Sequence, residues 1–452
     1  MSAPLKVAII GSGIAGLSVA HSLQGHADVT LFESASYFGG HTHTVDITLP
    51  TPQGNVTHGI DTGFLVYNER TYPNLIALFA QLGVQTAKSE MSFSVQVPGA
   101  FPGKGRSTLE WSGTNLSSVF AQRSNLVNPQ FLSMLWQMLR FNKLCTQIAQ
   151  AGSETKLAQP LGDFLQEHRF NAAFTDWYLL PMLGCIWSCP TDQMLQFPVA
   201  TMVRFCHNHG LVQITNRPQW YTVAGGARHY VDKIVAHIGD KRLDTPVELV
   251  ERDSAHGGVR VISQGRAERF DRVVLATHAP QALALLRDPS AQERSVLGAF
   301  RTQANHAVLH TDASVLPTQR SAWAAWNYVR GNPADSSGSN NGGNEGSNSV
   351  CLHYLINKLQ PIPFAQPVVV SLNPSQPIAR NHTMGEFHYA HPVFDAAATA
   401  AQQQMHTLQG DRGTYFCGAW MGYGFHEDGL KSGLAVGRTL LQELHAPQRL
   451  AA

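Results

Sequence analysis

Long apolar runs are missing from this 452-residue chain; none reaches the ~20 residues that a transmembrane helix needs. No membrane-spanning helix is therefore expected, and peripheral membrane contact stays open. Charge is scarce and balanced, with 14% charged residues, 32 basic against 31 acidic. No broad basic field exists for nucleic acid, so that partner class is set aside. Cysteines are few and scattered: Cys145, Cys185, Cys189, Cys206, Cys351 and Cys417. Only Cys185 and Cys189 are close, as C-x3-C, and core cysteines are expected rather than a metal site or disulfide. His207 and His209 stand beside Cys206, but no second cluster accompanies them, so a polar loop is expected there and no metal. Internal repeats are absent. The apolar stretch from Val7 to Ala20 is broken by Gly11, Gly13 and Gly16, and no small-x-small cleavage site follows before Glu33. It reads as strand, turn and helix and not as a secretion leader, which makes the cytoplasm the expected location.

What is present is a well-apolar globular composition, with 43% hydrophobic residues. At ~150 residues per unit, the length suggests about three domain-sized pieces, or two large interleaved domains. Lys6 to Ile10 reads as a buried parallel strand, Ile14 to Gln24 as a helix, and Asp28 to Glu33 as the next strand. Tyr72 to Leu82 reads as a helix stopped by Gly83, and Ser92 to Val97 as a strand. Residues 115–150 are helix-rich, with an apolar stripe of Phe131, Leu132, Leu135, Met138, Leu139 and Leu144. Core packing is the expected role of that stripe, ahead of a substrate groove. Strands are expected between Arg242 and Arg260, from Phe270 to Ala276, and from Thr414 to Gly418. The final helix is expected from Leu430 to Leu444. Residues 333–349 are low-complexity and read as a surface insertion without a catalytic role.

The strongest chemical signal is Gly11-Ser12-Gly13-Ile14-Ala15-Gly16, directly after a strand and opening a helix. The first glycine allows a tight turn. The second lets backbone approach a pyrophosphate, and the third lets helix pack on strand. The helix start then offers N–H groups and a positive dipole end to phosphates. Glu33 ends the second strand, 17 residues after Gly16, where a carboxylate can accept hydrogen bonds from a ribose.

The loop alone does not separate NAD from FAD. The next segments, Gly39-Gly40-His41-Thr42 and Gly59-Ile60-Asp61-Thr62-Gly63, resemble the flavin amine oxidoreductase superfamily. That superfamily includes monoamine oxidases, phytoene desaturases and protoporphyrinogen oxidases. The resemblance implies an α/β fold, with a Rossmann-type, GR2-like FAD-binding domain interleaved with an α+β substrate domain. It implies FAD held non-covalently. Residues 1–85, 216–285 and 405–452 would form the FAD domain, and 86–215 and 286–404 the substrate domain, with 333–349 as its flexible insertion. Cofactor contacts are implied for Gly11 to Gly16, Glu33, Ser34, Gly40, His41, Gly63, Phe64 and Gly418. Val247 matches the position whose backbone meets adenine, and Gly225-Gly226 the return into the FAD domain. Asp428, Gly429 and Leu430 match the helix start that gives N–H groups to the flavin's pyrimidine carbonyl, where negative charge develops on reduction. Two departures stand out. His41 replaces the family's usual arginine, and Ala419 replaces an acidic residue after Gly418, with Glu427 or Asp428 able to stand in.

Longer stretches narrow the resemblance: Phe38 to Asp46, Asp61 to Arg70, Ile186 to Pro190, Arg217 to Trp220, and Gly422 to Gly429. Together they look like a bacterial subfamily of NAD/FAD-binding proteins, typically encoded beside cyclopropane-fatty-acid synthase-like methyltransferases. The subfamily implies a lipid-linked role, with oxidation or desaturation of a fatty acyl chain, and such a methyltransferase as a possible partner. Two other readings are kept: an amine or amino-acid oxidase, which needs an aromatic cage or an anion-binding arginine near the flavin, with Arg204, Arg217 and Arg228 available for the latter, and a non-catalytic FAD-binding partner. Hydride transfer to flavin needs placement more than side-chain chemistry, so no nucleophile or triad is expected. Lys358 is the one candidate for a lysine near flavin N5. Trp187, Tyr354, Trp420, Tyr423 and Phe425 are candidates for apolar cavity walls, and His426 for an acid or base or a structural hydrogen bond. Cys417 is expected in a buried strand and not as a flavin attachment point.

Overall fold

The computed structural model describes residues 4–101, 108–152, 159–187, 191–213, 217–253, 257–331 and 350–445. Cys189, Pro190 and the 333–349 insertion lie outside them.

A five-stranded parallel sheet runs in the order Asp240–Arg242, Asp28–Phe32, Lys6–Ile10, Arg272–Leu275, Thr414–Phe416. Its central strand is apolar on both faces because both are covered, as parallel sheets require. Val7 and Ile9 point into one core, and Ala8 and Ile10 into another. The first core includes the helix Ile14–Leu23, on which the C-terminal helix His426–His445 packs. The second lies under the antiparallel sheet Val247–Arg252, Val259–Ser263, Arg266–Phe270. The sheet thus draws on the start, middle and end of the sequence.

The other large layer is a seven-stranded sheet, ordered Thr383–Val393, Arg301–His310, Val369–Leu372, Val350–Leu355, Trp326–Arg330, Phe93–Val97, Leu109–Ser112. Helices between Leu116 and Asn208 flank it, including Pro129–Ala151, Leu180–Trp187 and Val199–Asn208. The helix Pro73–Leu82 starts on its proline and stops at Gly83, whose φ of 61° is left-handed, as its sequence suggests.

Two expectations change. The final helix begins at His426, one turn before Leu430. In Pro129–Ala151 the buried face carries Phe131, Met134, Phe141 and Cys145, while Leu132 and Leu139 are 42% and 49% exposed. Apolar residues surround much of this helix, so periodicity could not choose a face. Packing chose the one with Phe131 and Phe141, which meet Trp111, Phe170 and Phe174.

Candidate functional site

A cavity of about 650 Å³ opens at the C-terminal ends of the parallel strands and runs into the helical layer. It starts where the strand order reverses around Lys6–Ile10, the crevice that open α/β sheets offer to ligands. Gly11, Ser12, Gly13, Ile14 and Ala15 form its floor. Gly11 sits at φ +101°, and a Cβ there would lie 2.7 Å from the Ala276 carbonyl oxygen. Gly13 faces open space. Gly16 stands behind the loop, where a Cβ would come within 2.0 Å of the Gly11 carbonyl oxygen; its role is close packing. The helix after Gly13 has no side-chain cap and no acid in its first turn. Its first N–H groups face the cavity end with their partial positive charge.

Glu33 anchors this loop. One carboxylate oxygen accepts the Ser12 N–H at 2.9 Å and the Ser12 hydroxyl at 2.6 Å; the other accepts the Ala35 N–H at 2.9 Å. The Ser12 hydroxyl oxygen in turn accepts the Gly39 N–H at 3.1 Å, tying the two glycine turns together. Ser34 lines the same end, with Thr245, Pro246 and Val247 as its far wall.

Gly40, His41, Gly63 and Phe64 form the next part of the lining. A Cβ on Gly63 would fall 2.1 Å from the His41 carbonyl oxygen, which also accepts the Phe64 N–H at 2.8 Å. The His41 ring is buried beside Tyr389 at 5.2 Å, His391 at 5.4 Å and His278 at 6.1 Å. Its Nε2 has no protein partner. Burial and then the neighbouring imidazoles hold its pKa well below the ordinary range. The Phe64 ring stacks on His426 at 3.8 Å. His426 Nε2 bonds to the Tyr230 hydroxyl at 2.7 Å and to Thr42 Oγ1 at 3.2 Å. Burial pushes this imidazole down to about 3. A lowered pKa favours the neutral imidazole, which suits the hydrogen bonds it makes to Tyr230 and Thr42.

The closing segment divides into wall and support. Gly418, Ala419, Trp420, Tyr423, Phe425 and His426 line the cavity. Asp428, Gly429 and Leu430 stand behind it. The Asp428 carboxylate accepts the N–H groups of Tyr423 and Phe425, each at 3.0 Å. The N–H groups of Asp428 and Gly429 both donate to the Phe425 carbonyl, and Leu430 is fully buried in the core. Glu427 accepts the N–H groups of Asn74 and Leu75 and so caps the helix Pro73–Leu82.

The inner half of the cavity is aromatic. Phe205 stacks on Phe425 at 4.7 Å, and Trp326 meets Tyr354 edge-on at 5.0 Å. Trp187 and Trp220 complete these walls. Among the described residues, none that lines the cavity is lysine or arginine, and the only carboxylate in the lining is Glu33. Lys358 is elsewhere, paired with Glu90 at 3.0 Å. Arg228 pairs with Asp46, and Arg217 donates to the Gln213 carbonyl; neither they nor Arg204 line the cavity. Cys417 is buried outside the lining, whereas Cys185 lies in it with its thiol pKa raised strongly by burial.

Three lining histidines escaped sequence reasoning: His209, His278 and His391. His209 was expected in a polar loop, but its ring stacks on Phe205 at 3.9 Å and Nδ1 bonds to the Phe205 carbonyl oxygen. Burial lowers His209 and His391 to about 4. Each lies far in sequence from the glycine loop, so no local spacing could mark it.

This geometry defines a dinucleotide cradle opening into an aromatic chamber. The chain matches the family described as flavin containing amine oxidoreductase over residues 14–441, and it belongs to that family. It is an FAD-dependent oxidoreductase. Among solved structures, cyclohexylamine oxidase from Brevibacterium oxydans IH-35A is 15% identical, with 98% of this chain and 100% of that chain covered and a TM-score of 0.66. Putrescine oxidase bound to putrescine is 13% identical, with 97% and 99% covered and a TM-score of 0.64. The CLA-producing fatty acid isomerase from P. acnes is 15% identical, with 98% and 99% covered and a TM-score of 0.60. No curated protein matches the chain.

The cradle fits this cofactor. The positive-φ turns at Gly11, Gly39 and Gly40 bring bare backbone to the cavity edge. The unpartnered Nε2 of buried His41 is a polar atom awaiting one.

Proposed function

We propose that the protein oxidises or desaturates an apolar, fatty-acyl-type substrate. The observation that carries this reading is the inner chamber: aromatic, and among the described residues without a lysine, arginine or uncommitted carboxylate in its lining. A carboxylate substrate would lose its hydration there with no cation among the described lining residues to meet it, and an ammonium would meet only aromatic ring faces. An alkyl chain loses nothing on that transfer and gains apolar contact. The fold accommodates fatty acids in the P. acnes isomerase, and the motif resemblance to the cyclopropane-synthase-linked subfamily supports the same class. A cyclopropane-synthase-like methyltransferase is the partner that reading implies.

In this reading Gly11 to Ala15 hold the pyrophosphate through backbone N–H groups, and His41 supplies the polar contact that arginine gives in relatives. Glu33 and Ser34 meet the ribose, and Val247 meets adenine. Gly16 lets the helix close on the loop. Gly40, Gly63, Phe64 and Gly418 shape the flavin seat. Asp428, Gly429 and Leu430 position the 418–426 wall from behind. Residues 1–85, 216–285 and 405–452 form the cofactor half, and residues 86–215 and 286–404 the substrate half. When bound, flavin supplies a hydride acceptor at N5. The protein's part is to orient a C–H bond toward it and to exclude water. His426, stacked on Phe64 and hydrogen-bonded to Tyr230 and Thr42, fixes the cavity wall at this point.

The test is anaerobic addition of substrates to the FAD-loaded protein, read by the visible flavin band. Bleaching by acyl lipids, and none by putrescine or cyclohexylamine, is expected. Bleaching by an amine and by no lipid would make it an amine oxidase and overturn the proposal.

A further inference from the structure

Among the described residues, every strongly exposed large apolar side chain lies within one stretch of sequence. They are Leu116 at 78%, Leu126 at 52%, Val127 at 84%, Leu132 at 42%, Trp136 at 62% and Leu139 at 49%. Leu126 and Val127 end the turn Arg123–Val127, just before the Asn128 cap of Pro129–Ala151. Leu132, Trp136 and Leu139 follow at spacings of four and three, so they share one helix face. Exposed Lys143, four residues further, continues that face. Soluble surfaces scatter such side chains singly; gathered on one face they mark an interaction site.

The charge along this stretch is one-sided. From residue 111 to residue 152 there is no aspartate or glutamate, while Arg123, Arg140 and Lys143 are present. Arg123 and Lys143 are exposed at opposite ends of the patch. An exposed tryptophan among aliphatic side chains, rimmed by cations, is the composition that settles at a lipid headgroup boundary. A two-fold contact with a second copy would set this acid-free stretch against itself and gather its cations. The patch is also joined to the cavity. The opposite face of Pro129–Ala151 packs on Val199–Asn208, which places Phe205 in the cavity wall.

We infer that the face built on Leu126, Val127, Leu132, Trp136 and Leu139 docks the protein on an anionic lipid bilayer surface, with Arg123 and Lys143 at the headgroups. The inference stands on the surface and not on what the cavity oxidises, although a membrane-derived acyl chain would join the two. It is tested by sedimentation of the FAD-loaded protein with vesicles of phosphatidylcholine alone or mixed with phosphatidylglycerol. Wild type should partition into the mixed vesicles and release with salt. The triple variant L132S/W136S/L139S should lose binding by about tenfold or more. The variant R123E/K143E should lose the preference for anionic lipid. Retained flavin content in each variant shows that it is folded. Equal partitioning of wild type and triple variant would overturn the inference. So would a wild type that ignores both vesicles yet is a dimer that the triple variant dissolves, since the face would then belong to a second copy. No turnover is measured, so failure of the acyl-substrate proposal would leave this result unchanged.

Discussion

Gly433 is the most informative position for testing how the cofactor cradle is held. It lies inside the helix His426–His445, where glycine costs about 1 kcal/mol relative to alanine. Propensity alone therefore predicts that Gly433→Ala stabilises. The packing predicts the reverse. A Cβ there would lie 2.0 Å from Ser18 Oγ and 2.2 Å from the Ala15 carbonyl oxygen. The serine could rotate, but the carbonyl belongs to the helix Ile14–Leu23 and cannot. Carbon–oxygen contacts settle near 3.3 Å or beyond, so the two helices must part by roughly 1 Å. Overpacking of this kind costs on the order of 1–3 kcal/mol, which exceeds the propensity gain over most of that range. Parting the helices also moves Ile14 and Ala15, which line the cavity floor. Gly433→Ala should thus lower the urea midpoint and weaken FAD retention together. An alanine variant as stable as wild type, with full flavin content, would refute the reasoning.

Other substitutions probe the site from different sides. Glu33→Ala leaves the buried N–H of Ser12 without its acceptor and should cost about 2–3 kcal/mol in chemical denaturation; a loss below half a unit would contradict the anchoring role. His41→Ala removes the proposed polar contact and should raise the FAD dissociation constant about tenfold, followed by flavin fluorescence with apoprotein; unchanged affinity would remove His41 from the cofactor site. Acidification should unfold the protein early. His209, His310 and His391 are held at about 4, and His353 and His426 at about 3, all by burial. Each is neutral when folded but takes a proton on unfolding below about 6.5, losing up to about 1.4 kcal/mol per pH unit. Burial raises Asp61 to about 7 and Asp428 to about 6, which favours the folded state as pH falls toward the unfolded carboxylate value. Five histidines outnumber two aspartates, so the melting temperature should fall between pH 6.5 and 5. A flat or rising melting temperature across that window would show that the imidazoles are not buried as described.

The cofactor end was readable because its chemistry is local. A strand, three glycines and a helix lie between Lys6 and Leu23, and Glu33 follows the next strand. Bare backbone at a turn can come only from glycine at such angles, so the residue type itself reports the geometry. The chamber end was less readable. Trp187, Tyr354, Trp420, Tyr423 and Phe425 were candidates and all line the cavity, but Phe205, Trp220 and Trp326 could not be told from core residues. Of the apolar stripe in residues 131–144, Phe131, Leu135, Met138 and Leu144 pack on the core as expected while Leu132 and Leu139 face outward, for the same reason: hydrophobicity says that a side chain avoids water, not which neighbour provides the shelter.

The sequence by itself determined the class of fold, the glycine cradle and its acid, and with them a dinucleotide. Those depend on backbone angles and spacing within one or two elements. Only the tertiary structure decided that His41, His278 and His391 meet, that Asp428 braces the wall rather than lining it, and that Leu132, Trp136 and Leu139 face outward. Each of those outcomes is a choice of partner between segments far apart in the chain. Such choices are made by the packing of whole layers, which no short window of residues contains.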